Sequence, residues 1–129
     1  MATLRVVGSM LEVQLSTLER LGACVMHDPT VPLAAIQSVR VSDQPWSELR
    51  GIRAPGTGLP KVVMLGTRRY RGGKDFAAVY RSDPAVVVEL AGAAYGRIVV
   101  SAGDPASVVA EIERARLAWP GLAWPGLDE

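Results

Sequence analysis

The sequence has very few of the residues on which cross-links and metal sites depend. It contains one cysteine, Cys24, and one histidine, His27, in 129 residues. A lone cysteine excludes an intramolecular disulfide and a cysteine-based zinc site, and it favours a reduced, cytoplasmic setting. We therefore expect neither a metal nor another cofactor.

Long apolar runs and an excess of one charge are also missing. No apolar run reaches the roughly 18 residues that a membrane span needs, and Glu12 interrupts the N-terminal apolar run too early for a signal peptide. The 14 basic residues nearly balance the 13 acidic ones, for a formal net charge of +1. Without a global positive field we expect no nucleic-acid partner and, at most, peripheral contact with a membrane.

Patterns that indicate catalysis are weak as well. Cys24 and His27 are three residues apart, and on a strand this spacing places them on opposite faces, so they do not form a dyad. The Gly-Thr-Gly at 56–58 lacks the last glycine of a dinucleotide fingerprint, and no Lys-Ser or Lys-Thr pair follows it. We expect that the protein is not an enzyme.

The strongest positive signal is strand-like alternation in the second half of the chain. The runs 76–81, 85–90 and 97–101 are mostly apolar, with β-branched residues at period-two spacing, and turn-forming residues stand between them. Because no gap between them could hold a crossover helix, the pattern predicts an antiparallel meander. Further runs bring the predicted number of strands to about seven, at 4–7, 10–16, 36–41 and 61–67.

An amphipathic helix is predicted after the last strand. Asp104 is a suitable N-cap, and Pro105 suits the first helical position. Apolar residues then recur at helical spacing as far as Trp119, with charged residues between them, and Pro-Gly at 120–121 ends the pattern. A helix with one apolar stripe must bury it, so we expect this helix to dock on the sheet.

Two shorter patterns complete the prediction. Ser-Thr-Leu-Glu at 16–19 fits a capping box that opens a helix of one turn. Residues 42–60 are rich in proline and glycine, which predicts a long loop with a helical turn near Trp46.

In this order of elements the chain resembles a bacterial pleckstrin-homology-like (PH-like) domain. The resemblance covers about 4–117 and is carried by the residues at 18–21, 31–41, 56–60, 66–67 and 98–105. It implies a mainly β fold with one C-terminal α-helix, in which about seven strands form a bent antiparallel barrel capped by the helix. The implied organisation is a barrel domain at 1–118 followed by a Trp-Pro-Gly tail at 119–129. The resemblance implies no particular activity, because the fold hosts several kinds of binding.

A tight hairpin in the middle of the chain concentrates positive charge. Arg-Gly-Gly-Lys at 71–74 predicts a primed turn, and the candidate anion-binding residues around it are Arg68, Arg69, Arg71 and Lys74. Arginine offers a planar fork to phosphate or carboxylate. The other interpretation is a solvated hairpin whose charges protect a strand edge from aggregation.

The C-terminal tail repeats the sequence Leu-Ala-Trp-Pro-Gly at 117–121 and 122–126. Aromatic residues are enriched at protein interfaces. Trp119 and Trp124 are therefore candidate interface residues. Trp46 is expected to pack on the domain, and packing on the domain is also the alternative for Trp119.

Two functional hypotheses follow. The first is a non-enzymatic interaction module that binds an unknown protein partner or another copy of itself. The second is a barrel that binds an anionic small molecule or lipid headgroup through the basic hairpin at 68–74.

Overall fold

The computed structural model describes residues 2–59 and 61–118. The described strands are β1 (Thr3–Val7), β2 (Met10–Gln14), β3 (Thr30–Pro32), β4 (Ile36–Ser42), β5 (Ile52–Leu59), β6 (Val63–Tyr70), β7 (Gly73–Tyr80), β8 (Ala85–Leu90) and β9 (Arg97–Ser101). The α-helices are α1 (Thr17–Ala23) and α2 (Pro105–Ala118), and short 3₁₀ helices cover Leu33–Ala35 and Pro45–Glu48. The prediction of a mainly β chain with a C-terminal helix is confirmed.

The described strands form two separate sheets and not the closed barrel that the resemblance implies. One sheet has three strands in the order β1-β2-β3, and the other has six in the order β4-β8-β9-β7-β6-β5. Within the described residues no ladder joins the two sheets, because β4 and β5 remain the outer strands of the larger one.

The predicted meander is wrong at one position, because β9 inserts between β7 and β8. It pairs parallel with β7, with Phe76 opposite Ile98, and antiparallel with β8, with Val86 opposite Val100. The four residues 81–84 between β7 and β8 reach about 13 Å when extended, which exceeds two strand spacings of about 4.8 Å each. The chain can therefore skip one position in the sheet, which β9 fills as it folds back.

The predicted loop at 42–60 is also wrong, because its second half forms β5. The register shifts between Arg53 and Gly56, and Gly56 then lies opposite Gly66. A Cβ on Gly56 would lie 2.2 Å from the carbonyl oxygen of Leu65, so the close approach of the two strands requires glycine. Pro55 is compatible with a strand because β5 is an edge strand.

The six-stranded sheet is buried on both faces over its central strands. Its first face packs against the three-stranded sheet and both α-helices, around Phe76, Leu11, Ile98 and Ile112. Its second face carries a smaller cluster of mostly short side chains, and Trp46 and Leu49 pack against it.

Residues 43–51, which we call the crossing segment, cover this second face. They connect β4 to β5, the two outer strands of the same sheet. Two arginine–carboxylate pairs hold the segment: Arg40 donates to both carboxylate oxygens of Glu48, at 2.9 and 2.8 Å, and Arg50 donates to both oxygens of Asp75, each at 2.8 Å. Bidentate pairs of this kind fix orientation as well as position.

Helix α2 docks as its sequence predicts. Its N-terminus follows Asp104, whose Oδ1 accepts a hydrogen bond from the Ser107 N–H at 3.4 Å. Ile112 is buried, and Val108 and Ala115 pack partly buried beside it. The helix contacts β4, β8 and β1. Residues 119–129, including Trp119 and Trp124, lie outside the described residues.

Candidate functional site

Helix α1 begins at the capping box that the sequence predicts. Ser16 Oγ accepts from the Glu19 N–H at 3.1 Å, and the Ser16 N–H donates to Glu19 Oε1 at 2.9 Å. The helix continues to Ala23, so it is longer than the one turn predicted. Cys24 follows in the left-handed conformation and ends the helix, and its N–H is directed at the carbonyls of Arg20 and Leu21.

The burial pattern of α1 is inverted. Glu19 is 6% exposed, whereas Leu18 is 80% and Leu21 is 71% exposed. The carboxylate can be buried because the capping box and the Tyr80 hydroxyl both donate hydrogen bonds to it. Leu18 and Leu21, three residues apart, share the outer face of the helix.

The electrostatics of this contact favour the charged carboxylate. Burial alone would raise the pKa of Glu19, but the hydrogen bonds from the Ser16 N–H and the Tyr80 hydroxyl outweigh burial, so its pKa lies below the ordinary value. Burial and the hydrogen bond to Glu19 both raise the pKa of Tyr80. The pair therefore stays as a neutral phenol on a carboxylate at neutral pH.

The exposed residues of α1 and of the turn after it carry no formal charge. We call this surface the α1 face, and its exposed residues are Ser16, Thr17, Leu18, Leu21, Cys24, Met26 and His27. Arg20, which is partly buried, is paired with Asp28 at 2.9 Å. The face adjoins β5, since Thr57 Oγ1 donates to the Gly22 carbonyl at 2.7 Å. An uncharged surface with leucines and a methionine exposed is typical of a contact site.

The predicted hairpin is confirmed, but its basic residues do not converge on one face. Tyr70 pairs with Gly73 across the turn, and Arg69 lies directly opposite Lys74. Arg68 is on the other face, where it donates to the carbonyls of Arg50 at 3.2 Å and Gly51 at 2.7 Å. Arg71 lies in the exposed turn itself. The structure thus brings Arg69 and Lys74 together, and binding of an anion there stays a prediction.

The sequence gives little sign of the buried acid beside this hairpin. The Asp75 side chain is 3% exposed and pairs with Arg50. The Tyr70 hydroxyl donates to Asp75 Oδ1 at 2.8 Å, and the Arg50 guanidinium lies 4.6 Å from the Tyr70 ring centroid. Burial and this hydrogen bond raise the pKa of Tyr70. The Arg50 and Asp75 charges are matched, so the cluster fixes the crossing segment.

A second network ties the crossing segment to β4, β8 and β9. Glu48 accepts from Arg40 and from the Ser42 hydroxyl at 2.9 Å, and the hydrogen bond from Arg40 is the main reason that the pKa of Glu48 falls to about 2. Arg97 donates to the Glu48 carbonyl at 2.8 Å. Arg97 Nε also lies 3.0 Å from Glu89 Oε2, although the two are not aligned for a hydrogen bond.

Three further observations concern the described part of the chain. Trp46 packs on the second face of the sheet, as predicted. Within residues 2–59 and 61–118, no three His, Cys, Asp or Glu side chains are grouped so that they could hold a metal ion. None of the described helices combines the length and the apolar character that crossing a membrane requires.

Comparison of the chain with protein-family models, with curated proteins and with solved structures found no match.

Proposed function

We propose that the protein is a non-enzymatic interaction module whose binding surface is the α1 face. The observation that carries this proposal is the inverted burial of α1, which exposes Leu18 and Leu21 while it buries Glu19. Fully burying a leucine side chain stabilises a complex by about 1.5–3 kcal/mol. A helix anchored by a buried glutamate keeps these two leucines available to a partner.

A second copy of the chain is the partner that the α1 face fits best. In a twofold dimer the same surface meets itself, so any like charges on it would repel. The exposed residues of the α1 face carry none. Self-association through this face therefore needs no complementary patch elsewhere.

We also retain the PH-like resemblance as a proposal, together with a cytoplasmic setting. The strand-rich chain and its docked C-terminal helix support the resemblance, and the single cysteine supports the setting.

The single cysteine allows a direct test of self-association. Cys24 is exposed and lies three residues after Leu21, on the α1 face. A short bismaleimide should therefore join two chains at Cys24 if their α1 faces meet, and light scattering should report a dimer. The double variant Leu18→Gln with Leu21→Gln should abolish both results, because glutamine keeps the helix propensity of leucine but cannot fill an apolar interface.

Leu117→Gln is the matched control. Leu117 is 82% exposed and lies on α2, so it offers the same substitution at equal exposure on another helix. It should leave cross-linking and dimer mass unchanged. A monomer for the unmodified chain at high concentration, or equal loss of the dimer in the control, would contradict the proposal.

The alternative function is binding of an anionic small molecule or lipid headgroup by the basic hairpin. The observation that favours it is the pair Arg69 and Lys74, which face each other directly across two strands. Both side chains are cations, so an anion between them would meet two opposite charges. Anionic metabolites and lipids should then raise the melting temperature, and Arg69→Ala with Lys74→Ala should cancel that rise. No rise with any anion would exclude this function.

A further inference from the structure

A groove of about 400 Å³ lies where three connections of the chain meet. Trp46 and Asp43 line it from the crossing segment, Lys61 from the turn between β5 and β6, and Arg81 and Ser82 from the link between β7 and β8. This volume lies within the range of pockets that bind small molecules. The groove is separate from both the α1 face and the basic hairpin.

The backbone of the groove is held in an unusual conformation. Lys61 has φ of 65° and Arg81 has φ of 50°, in the left-handed region that favours glycine. The Arg81 N–H donates to the Val62 carbonyl at 2.8 Å, and the Trp46 indole N–H donates to the Arg81 carbonyl. Long side chains kept in strained conformations are found preferentially at functional sites.

The two cations of the groove differ from several arginines of this protein that are paired with carboxylates. Arg20, Arg40 and Arg97 each form an ion pair. Among the described residues, neither Lys61 nor Arg81 has a carboxylate within 4.0 Å, although Asp43 lines the same groove. The lining therefore holds two cations without an ion pair, one indole and one carboxylate.

We infer that this groove binds a small organic anion with a flat apolar part. A phosphate or carboxylate group would lie between Lys61 and Arg81, which supply charge-assisted hydrogen bonds. The flat part would pack on the Trp46 indole, whose N–H already has a partner and which therefore offers its ring.

Phenyl phosphate is a suitable probe, because it combines both features. The chain has three tryptophans, so an ¹⁵N-correlated spectrum shows three indole signals, and Trp46→Phe identifies the one from the groove. Phenyl phosphate should shift that signal saturably. Inorganic phosphate and phenol, which carry one feature each, should both bind more weakly. Equal binding of phenol would overturn the role of the cations, and equal binding of inorganic phosphate would overturn the role of the indole.

The double variant Lys61→Gly with Arg81→Gly tests the cations without damage to the fold. Glycine adopts positive φ readily, so the melting temperature should stay the same or rise. The affinity for phenyl phosphate should fall about tenfold or more, as expected for lost charge-assisted hydrogen bonds.

Arg114→Ala is the matched control, because it removes an exposed cation from α2, which packs on the first face of the sheet, whereas Trp46 packs on the second. Its affinity for phenyl phosphate should change less than about twofold, as expected for a distant, solvent-exposed charge. An equal loss of affinity in Arg114→Ala, or no saturable shift of the Trp46 signal in the unmodified protein, would overturn the inference.

Discussion

The two α-helices of this protein present opposite kinds of surface to solvent. Helix α2 buries Ile112 and exposes charged residues such as Glu113, in the usual amphipathic manner. Helix α1 buries Glu19 and exposes Leu18 and Leu21. The comparison shows that the apolar side of a short helix need not face the core. It faces solvent when the polar residues of the helix find hydrogen-bond partners inside the protein. In α1 those partners are the capping box and Tyr80.

The largest loss of stability is expected when Ile112, the buried apolar residue that anchors α2, is truncated. Ile112→Ala should lower the free energy of unfolding by about 3 kcal/mol, because it leaves a cavity at a site that is 1% exposed. Chemical denaturation measures this loss. Leu117→Ala on the same helix should change stability by less than about 0.5 kcal/mol. Equal effects for the two variants would show that α2 is not docked through Ile112.

Removal of Glu19, the buried carboxylate that anchors α1, should cause the next largest loss of stability. Glu19→Ala should lower the free energy of unfolding by about 2 kcal/mol, because it removes a helix cap and the partner of the Tyr80 hydroxyl. Glu113→Ala, which breaks only the pair with Arg116 on the surface of α2, should lower it by less than about 0.5 kcal/mol. Denaturation of both variants under the same conditions decides whether the buried glutamate holds α1.

Acidification should remove part of the stability that the Glu19 carboxylate contributes. The folded pKa of Glu19 lies below its ordinary value of 4.5, so its charge stabilises the fold above that pH. This stabilisation is lost as the pH falls through the folded pKa. The stability difference between the unmodified protein and Glu19→Ala should therefore narrow in that range. A difference that stayed constant or widened on acidification would mean that the charge of Glu19 does not contribute.

The smallest effect is expected for the exposed leucines of α1. Leu18→Gln with Leu21→Gln should change the free energy of unfolding of the monomer by less than about 0.5 kcal/mol, measured at concentrations too low for self-association. A large loss would show that these leucines contribute to the core of a single chain, which would remove the basis for an interaction surface.

The parts of the fold with regular local patterns could be predicted from sequence. The sequence patterns of β7, β8, β9 and α2 are each complete within a single segment, and the three strands and the helix are confirmed. The insertion of β9 between β7 and β8 could not be predicted, because period-two alternation does not show which strands are neighbours. Strand β5 was hidden because its glycines and proline, which usually indicate a loop, here permit close packing at a sheet edge.

The candidate binding surfaces were harder to predict than the fold, because they are formed by residues that are far apart in the sequence. The capping box of α1 is local and was predictable, but the burial of Glu19 depends on Tyr80, 61 residues away. The groove combines Trp46, Lys61 and Arg81, which come from three different connections. No sequence spacing indicates that these residues meet.

The length of the crossing segment limits the shape of the six-stranded sheet. A flat sheet of this size would place its outer strands about 24 Å apart, and the diagonal from the end of β4 to the start of β5 would be about 29 Å. With four of its residues in a 3₁₀ turn, the segment reaches about 29 Å at most, with no slack to pass over the intervening side chains. The sheet must therefore curl toward the segment, and deleting a residue from 43–51 would tighten that curl.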